Sequence, residues 1–380
     1  MNVLIVTRGY PTNENNMLGI FELDQAKALK KIGHRVAYVA LDIRSIRRKR
    51  KFGYNYFVDK NGIEVFEMSY PVGNIQEDIC DYIRGVCFKK VYSKVEKQFG
   101  KPDIIHSHFL KIGNSIRKYT KQLGIPFIHT EHLSLINSPS MSKGLFRRAQ
   151  NTYRECDALI TVSNSLSNCI KDRFKIDSVI INNIVNVSEN QIVLKKVDRK
   201  PIFVAAGNLI QRKGFDLLIQ ATAQIAKEYP DIEVKIFGEG EERQHLEKLI
   251  DELSLKQNIK IRGRYKRSDL SELYSDAIAF VLASRRETFG VVYVEAMALG
   301  LPVIATNCGG PEEFVNKNNG YLIEVDKINQ LSKAMTEMIL NWEQFNRTEI
   351  SKYTYDNFSD TVIAKQITDV YEKITSGKES

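Results

Sequence analysis

Between Ala277 and Pro302 the chain passes from an unbroken apolar run, Ala277-Ile278-Ala279-Phe280-Val281-Leu282, to a helical pattern that stops at Gly300 and Pro302. An apolar run without alternation belongs to a strand buried on both faces, as in a parallel sheet covered by helices. Glu287 then falls in the loop between strand and helix, and Glu295 on the helix itself. A loop of this kind is where open α/β sheets bind ligands, because helix N-termini with unpaired N–H groups converge there. The amides around Phe289, Gly290 and Val291 suit an anion. Two carboxylates beside an anion site would repel it unless their partners are hydroxyls, and a carboxylate accepts from both members of a vicinal diol. The plainer reading makes both glutamates solvated charges at a helix end.

The same alternation recurs along the chain. Asn2–Val6, Arg35–Leu41, Asp103–His106, Phe127–His132 and Ala158–Ser163 read as strands of a first run, closed by the segment Val179–Asn186. Pro201–Gly207, Glu233–Phe237, Ile259–Arg262, Ala277–Leu282 and Pro302–Ala305 form a second. Helical patterns lie between them, including 81–99 and 330–341, and a final amphipathic pattern covers 361–374. Two such runs, with no strand-only stretch, predict an α/β protein built from two doubly wound parallel sheets, with the ligand site in the cleft separating them. The expected division is a first domain over 1–190, a second over 199–350 and a C-terminal helix over 351–380 that crosses back to the first.

With 380 residues and 43% hydrophobic content the chain can bury a large core. Five cysteines, an odd number without a C-x-x-C, point to a reducing compartment. No apolar run approaches the roughly 20 residues of a membrane-spanning helix, and Met1–Thr7 is too short for a signal peptide. A cytoplasmic protein is expected. The net charge of +9 is uneven: residues 1–190 carry 29 Lys/Arg against 18 Asp/Glu, whereas the remainder is slightly acidic. Part of the excess is the run Arg44, Arg47, Arg48, Lys49, Arg50, Lys51, followed by Phe52, Tyr54, Tyr56 and Phe57. Basic residues beside aromatics suit an anionic membrane surface or nucleic acid, and equally a solvated loop.

Several positions carry candidate chemistry. Gly19, at the start of the first helix, allows close backbone approach to a phosphate or serves helix packing. Arg212 and Lys213 precede Gly214 at a strand-to-helix crossing, where two cations can balance a departing diphosphate as a metal does elsewhere. No two aspartates are separated by one residue, so the D-x-D that holds Mg²⁺ in metal-dependent transferases is missing, and neither a metal nor any other cofactor is expected. His106, His108, His129 and His132 sit at two strand ends, but no carboxylate or cysteine completes a metal-ligand spacing. They read as structural histidines, with one or two lining the cleft.

Glu287 to Glu295 has the E-x7-E spacing, and its setting E-T-F-G-V-V-Y-V-E-A-M-A resembles the retaining glycosyltransferases of family 4. Arg212-Lys213-Gly214 is similar to that family's R-K-G, Gly309-Gly310-Pro311-Glu312 to its G-G-P-E turn, and the "GYP … G-x-F … QAKAL … GH-x-V" opening to its first βαβ unit. The resemblance spans nearly the whole chain and implies the GT-B fold: two Rossmann-like domains facing a central cleft. It implies retaining, metal-independent transfer of a sugar from a nucleoside diphosphate donor, with UDP-sugars favoured, to an acceptor hydroxyl. Glu287 with Thr288, Phe289, Gly290 and Val291 would hold the sugar and its phosphates, Glu295 the ribose diol, Arg212 and Lys213 the leaving diphosphate. Gly19 would face the donor phosphates, Gly207 and Gly238 would wall the nucleotide pocket, the backbone at Arg264 and Tyr265 would meet the base, and His132, in T-E-H for the family's T-x-H, would touch the sugar. His108 is a candidate for the acceptor side. Two departures stand out: Asn208 replaces the family's arginine after Gly207, and Ile184 and Asn186 replace Gly and Asp of P-N-G-V-D.

The basic first half then suggests a lipid-linked glycan acceptor at the inner face of the plasma membrane, as in bacterial surface-polysaccharide assembly, with the protein peripheral on that anionic surface. The rival readings are a nucleotide-sugar epimerase of the same fold and a basic nucleic-acid-binding protein. The acidic second half and the lack of a nucleic-acid motif speak against nucleic acid as the partner.

Overall fold

The computed structural model describes residues 1–12, 18–43, 52–73, 75–138, 140–185 and 200–377. The chain forms two compact units, Met1–Ile184 with Asp360–Ser380, and Val185–Ser359. The basic run Arg44–Lys51, most of the charged linker before Lys200, and Asn186 lie outside the described residues.

The first unit holds an eight-stranded sheet: β1 (Asn2–Thr7), β2 (Arg35–Asp42), β3 (Gly53–Val58), β4 (Glu64–Ser69), β5 (Ile104–His108), β6 (Phe127–Glu131), β7 (Ala158–Thr161) and β8 (Val179–Ile180). Their order is β3-β4-β2-β1-β5-β6-β7-β8. Alternation along β1 shows why an all-apolar strand is needed. Val3 and Ile5 pack with Leu23, Ala26 and Leu29 of the first helix and with Ile363, Ile367 and Tyr371 of the helix Asp360–Ser376. Leu4 and Val6 face the other way, onto Phe88, Val91 and Val95 of the helix Glu77–Gln98 and Ile112 and Ile116 of the helix Leu110–Leu123. Each such side chain contributes roughly 1.5–3 kcal/mol by leaving water, so both faces of the strand stabilise the unit.

The second unit holds a six-stranded parallel sheet: β9 (Ile202–Ala206), β10 (Glu233–Phe237), β11 (Ile259–Gly263), β12 (Ala279–Val281), β13 (Val303–Thr306) and β14 (Gly320–Ile323), in the order β11-β10-β9-β12-β13-β14. In both sheets the first strand lies between neighbours reached in opposite directions, β2 and β5 around β1, β10 and β12 around β9. Those reversal points are where crevices open at strand carboxyl ends.

Two expectations are corrected. The sheet of the first unit is not purely parallel: β3 pairs antiparallel with β4, and the aromatic segment read as the tail of a basic loop is this edge strand. Tyr56 packs on Phe66 from one face and Phe57 on Tyr10 from the other, while Tyr54, Asn55 and Val58 stay exposed, as at a sheet edge. The helix expected from residue 81 begins at Glu77, where Glu77 and Asp78 fill a first turn that favours acids. The segment after Gly310 forms the 3-10 turn Pro311–Glu313.

The last helix is tied to the first unit by a buried polar contact. Tyr371 is fully buried, its hydroxyl lies 2.6 Å from His106 Nδ1, and His106 Nε2 lies 2.7 Å from Thr130 Oγ1. Tyr371→Phe removes one buried hydrogen bond and keeps the ring packing, so it should destabilise this attachment by about 1 kcal/mol. Faster hydrogen exchange confined to Asp360–Ser376 checks this, and unchanged exchange there would show that the contact does not hold the helix.

Candidate active site

The loops at the carboxyl ends of β9 to β13 bring the predicted residues of the second unit together. Gly207 follows β9 and donates its N–H to Phe237 O, and Gly238 follows β10 and donates to Gly263 O, so three successive strand ends are stitched into one rim. Beyond Gly207 the turn Gln211–Lys213 carries Arg212 and Lys213 toward the loop after β12. Lys213 Nζ donates to Glu287 Oε1 at 2.6 Å, Ser284 Oγ donates to the same oxygen at 2.8 Å, and Arg212 Nη1 stands 3.7 Å from Oε2. Arg212 also donates to Arg286 O, and Arg285 N donates to Arg212 O. Arg285 in turn grips both oxygens of Asp216, in the first turn of the helix Phe215–Ile225, which fixes the helix start against the loop.

Glu287 is buried, and burial alone would raise its carboxyl. The charges of Lys213 and Arg212, with hydrogen bonds from Lys213 and Ser284, outweigh that and hold it below the usual carboxylate range. It is therefore ionised at neutral pH. Cys308, whose carbonyl accepts from Glu287 N, has its thiol pushed up to about 12 by burial and by the Glu287 charge, so it stays a neutral thiol and not a nucleophile.

The helix after this loop is short, Val291–Ala298, and Gly290 caps it with φ 97°, a conformation that favours glycine. A side chain there would also press on the Tyr293 ring at 2.8 Å. Among the described residues the N–H groups of Phe289, Gly290 and Val291 have no partner, as an anion-binding helix start requires. Thr288 occupies the same loop. Glu295 lies on the helix, paired with Arg267 from the turn Arg267–Asp269. Tyr265 sits near Phe237 at the end of β10, and its phenol is raised by burial and by the Glu295 charge, whereas the side chain of Arg264 is exposed. Asn208, where an arginine was expected, is exposed too.

Gly19 and His132 belong to the first unit. Gly19 caps the first helix at φ 73°, where a Cβ would come within 2.2 Å of Gly9 O. His132 follows β6; its Nε2 lies 3.0 Å from His108 Nδ1, and the rings stack at 5.3 Å. Beside this pair His106 stacks on His108 with ring centroids 4.6 Å apart, Ser107 Oγ meets His129 Nδ1 at 2.8 Å, and Glu131 accepts from the backbone N–H of His132 and Leu133 and from Tyr153. Burial drives the imidazoles of His106 and His108 well down, and that of His132 to about 3. Residues that sequence reasoning missed are Ser284, Arg267 and Cys308. Ser284 is detectable as the polar residue closing the β12 run; nothing in the sequence singles out Arg267.

Family models match most of the chain: "Glyco_transf_4: Glycosyltransferase Family 4" over residues 21–189 and "Glycosyl transferases group 1" over 186–356. An uncharacterized glycosyltransferase of Methanocaldococcus jannaschii is 31% identical over 72% of this chain and 76% of its own length. The chain belongs to the family-4 type of glycosyltransferases. An uncharacterized glycosyltransferase of Haemophilus influenzae is 32% identical over 50% of this chain, which spans 54% of that protein. A lipopolysaccharide core biosynthesis glycosyltransferase of Rhizobium meliloti, LpsE, is 26% identical over 47% of the chain and 50% of its own length. Among solved structures, sucrose-phosphate synthase of Thermosynechococcus elongatus matches with a TM-score of 0.81 at 19% identity, over 99% of this chain and 100% of its own. Anabaena HepE in complex with UDP and glucose matches with 0.73 at 20%, over 98% and 100%. These likenesses give the glycosyltransferase the GT-B fold.

The neutral histidines set an acid limit on this glycosyltransferase. Unfolded imidazoles take up protons near pH 6.5, whereas His132 resists until about 3 and His106 and His108 are held well below 6.5. The unfolded state therefore binds more protons in that window, and stability rises with pH there and falls as pH drops below 6.5. Each imidazole should cost about 1.4 kcal/mol per pH unit. Denaturation between pH 7.5 and 5 should show this slope, and a His132→Gln protein a shallower one; equal slopes would mean His132 is protonated in the fold.

Proposed function

We propose that the second unit binds a UDP-sugar and that the protein transfers its sugar, with retention and without a metal, to a hydroxyl of a lipid-linked glycan in bacterial surface-polysaccharide synthesis. The observation that carries this is the convergence of Lys213, Arg212, Glu287 and the unpartnered Phe289–Val291 amides at the switch point of one sheet. Cations and amides suit a diphosphate, and carboxylates at Glu287 and Glu295 suit the hydroxyls of sugar and ribose. The UDP and glucose carried by HepE and the lipopolysaccharide pathway of LpsE agree with this donor and this class of acceptor.

In the reaction the bond from the anomeric carbon to the diphosphate oxygen breaks. The acceptor oxygen bonds to that carbon on the same face, and the acceptor proton passes to the departing phosphate, giving a glycoside and UDP. Lys213 and Arg212 stabilise the charge that builds on the diphosphate, and stabilisation of developing charge usually does more than any other effect to lower such a barrier. Glu287, kept ionised, orients the sugar. Lys213→Ala should lower kcat/KM about 100-fold or more, and Glu295→Gln should act chiefly on donor KM. A panel of nucleotide-sugars assayed for release of the nucleoside diphosphate checks both; full activity of the Lys213 variant would remove the cation from the mechanism.

For the membrane, the first unit offers an exposed apolar row. Ile75, Ile79, Tyr82 and Val86 recur at helical spacing along Glu77–Gln98 and just before it, with Lys89, Lys90, Lys94 and Lys97 following. Lys94 lies over the ring of Tyr54 on the edge strand, and Phe52 meets Tyr70. Apolar residues with a cationic border suit an anionic bilayer. The full-length protein should sediment with vesicles containing phosphatidylglycerol and less so as salt rises; equal binding to pure phosphatidylcholine would overturn this.

A further inference from the structure

A cavity of about 490 Å³ opens beside β14, the strand at one edge of the second unit's sheet. It lies between the turn that leads into the strand at Gly320 and the segment joining the helix Ile328–Asn341 to the helix Arg347–Phe358. Gly320 starts β14, so this is the amino end of a parallel sheet. Lys213 and Glu287 belong to loops that follow the carboxyl ends of β9 and β12. Nothing in the transfer reaction calls on the cavity.

Its walls are built largely from side-chain amides, those of Asn316, Asn318, Asn341, Gln344 and Asn346. Several are fixed through one of their two polar atoms. Asn316 Oδ1 accepts from Asn318 N at 2.9 Å, and Asn346 Oδ1 caps the second helix by accepting from the N–H of Thr348 and Glu349. Asn341 Nδ2 donates to Glu337 O at 3.0 Å, and Gln344 Nε2 donates to Asn341 Oδ1 at 2.9 Å. The NH2 groups of Asn316 and Asn346, the Gln344 side-chain carbonyl and both polar atoms of the Asn318 amide are left without protein partners among the described residues. Tyr321 and Phe345 supply the apolar part, edge to face with centroids 5.7 Å apart. Burial and the Glu337 charge raise the Tyr321 phenol, so it stays a neutral donor. Lys317 and Glu349, both exposed, add one charge of each sign.

Amides that donate and accept, set around aromatic rings with no net charge, match a ligand with many hydroxyls and apolar C–H faces. An ion finds no uncompensated charge here. A partner's β-strand finds an edge of only four residues, and short edges pair poorly. We propose that this cavity is a second carbohydrate site, which holds a neutral stretch of a glycan chain apart from its reacting end. The choice of a glycan rests on the lipid-linked glycan acceptor proposed above. A chain held here keeps its other end at raised local concentration around the protein, so long acceptors are favoured over short ones without any new contact at the catalytic loops.

Trp342, the only tryptophan of the chain, lies in the turn Trp342–Gln344 beside the cavity and reports on it. Malto-, cello-, manno- and chitohexaose titrated into the full-length protein should change its fluorescence for at least one of them, with a Kd of about 0.1–1 mM that added salt leaves alone. Asn318→Ala combined with Gln344→Ala, both at exposed positions, should weaken that binding about tenfold, and Tyr321→Leu, which removes a stacking ring, by as much. Release of the nucleoside diphosphate from the nucleotide-sugar panel should stay within about twofold of wild type in these variants. No response to any hexaose, or a response undiminished in the double variant, would overturn the site. Tighter binding of a galacturonate hexamer, lost as salt rises, would make this an anion site, and a changed sedimentation coefficient of the Tyr321 variant would make it a contact between copies of the chain; either overturns the proposal. If a hexaose binds as described while the panel releases nothing, the donor reading falls and the site stands; if the panel is turned over and no hexaose binds, the reverse holds.

Discussion

The second unit is organised by one ion pair. Glu287 cannot sit buried and charged by itself, because an uncompensated carboxylate in the interior costs several kcal/mol, so Lys213 must reach it from the loop of a different strand. That requirement couples the ends of β9 and β12 across the switch point. Arg285 repeats the coupling nearby by clamping Asp216. The helix start at Gly290, with its open amides, is therefore presented by loops that are braced in place before any ligand arrives. Preorganisation of this kind is what makes donors effective toward charge that develops during reaction.

The two sheets solve the same topological problem with opposite electrostatics. Both have a crevice where the strand order reverses, but the second unit edges its crevice with the ionised Lys213–Glu287 pair, and the first with neutral imidazoles and with Glu22, whose carboxyl burial raises despite Arg8. A phosphate-bearing ligand gains from the arrangement in the second unit, since Lys213 and Arg212 exceed the single charge of Glu287.

Much of this was legible beforehand because parallel strands advertise themselves. The unbroken apolar runs at Ala277–Leu282 and Val3–Val6 have no other stable home than a sheet covered on both sides, and glycines mark the crossings that follow them. The E-x7-E spacing, too, is local and survives as one loop and one helix. What escaped was non-local. Arg267 meets Glu295 only because the chain folds the turn after β11 back toward the helix Val291–Ala298, and no spacing records that. The edge strand β3 escaped for a different reason: with half of its residues exposed and aromatic residues beside a basic run, its composition mimics a sticky loop.

Pairing also changes what the two glutamates mean. A carboxylate read from sequence as waiting for hydroxyls is in fact occupied, Glu287 by Lys213 and Ser284, Glu295 by Arg267. Occupation need not abolish such a role, since a carboxylate has lone pairs for about four partners, and among the described residues Glu287 Oε2 has only Arg212, at 3.7 Å. On the proposed reading it alters the energetics of donor binding, which would become an exchange in which Lys213 is shared between a protein carboxylate and an incoming diphosphate. A cation shared in this way is held in position throughout, and the ligand gains its charge without the protein losing its buried pair. Asn208 is exposed beside this arrangement, so the further cation that the family places there is not needed to keep Glu287 ionised.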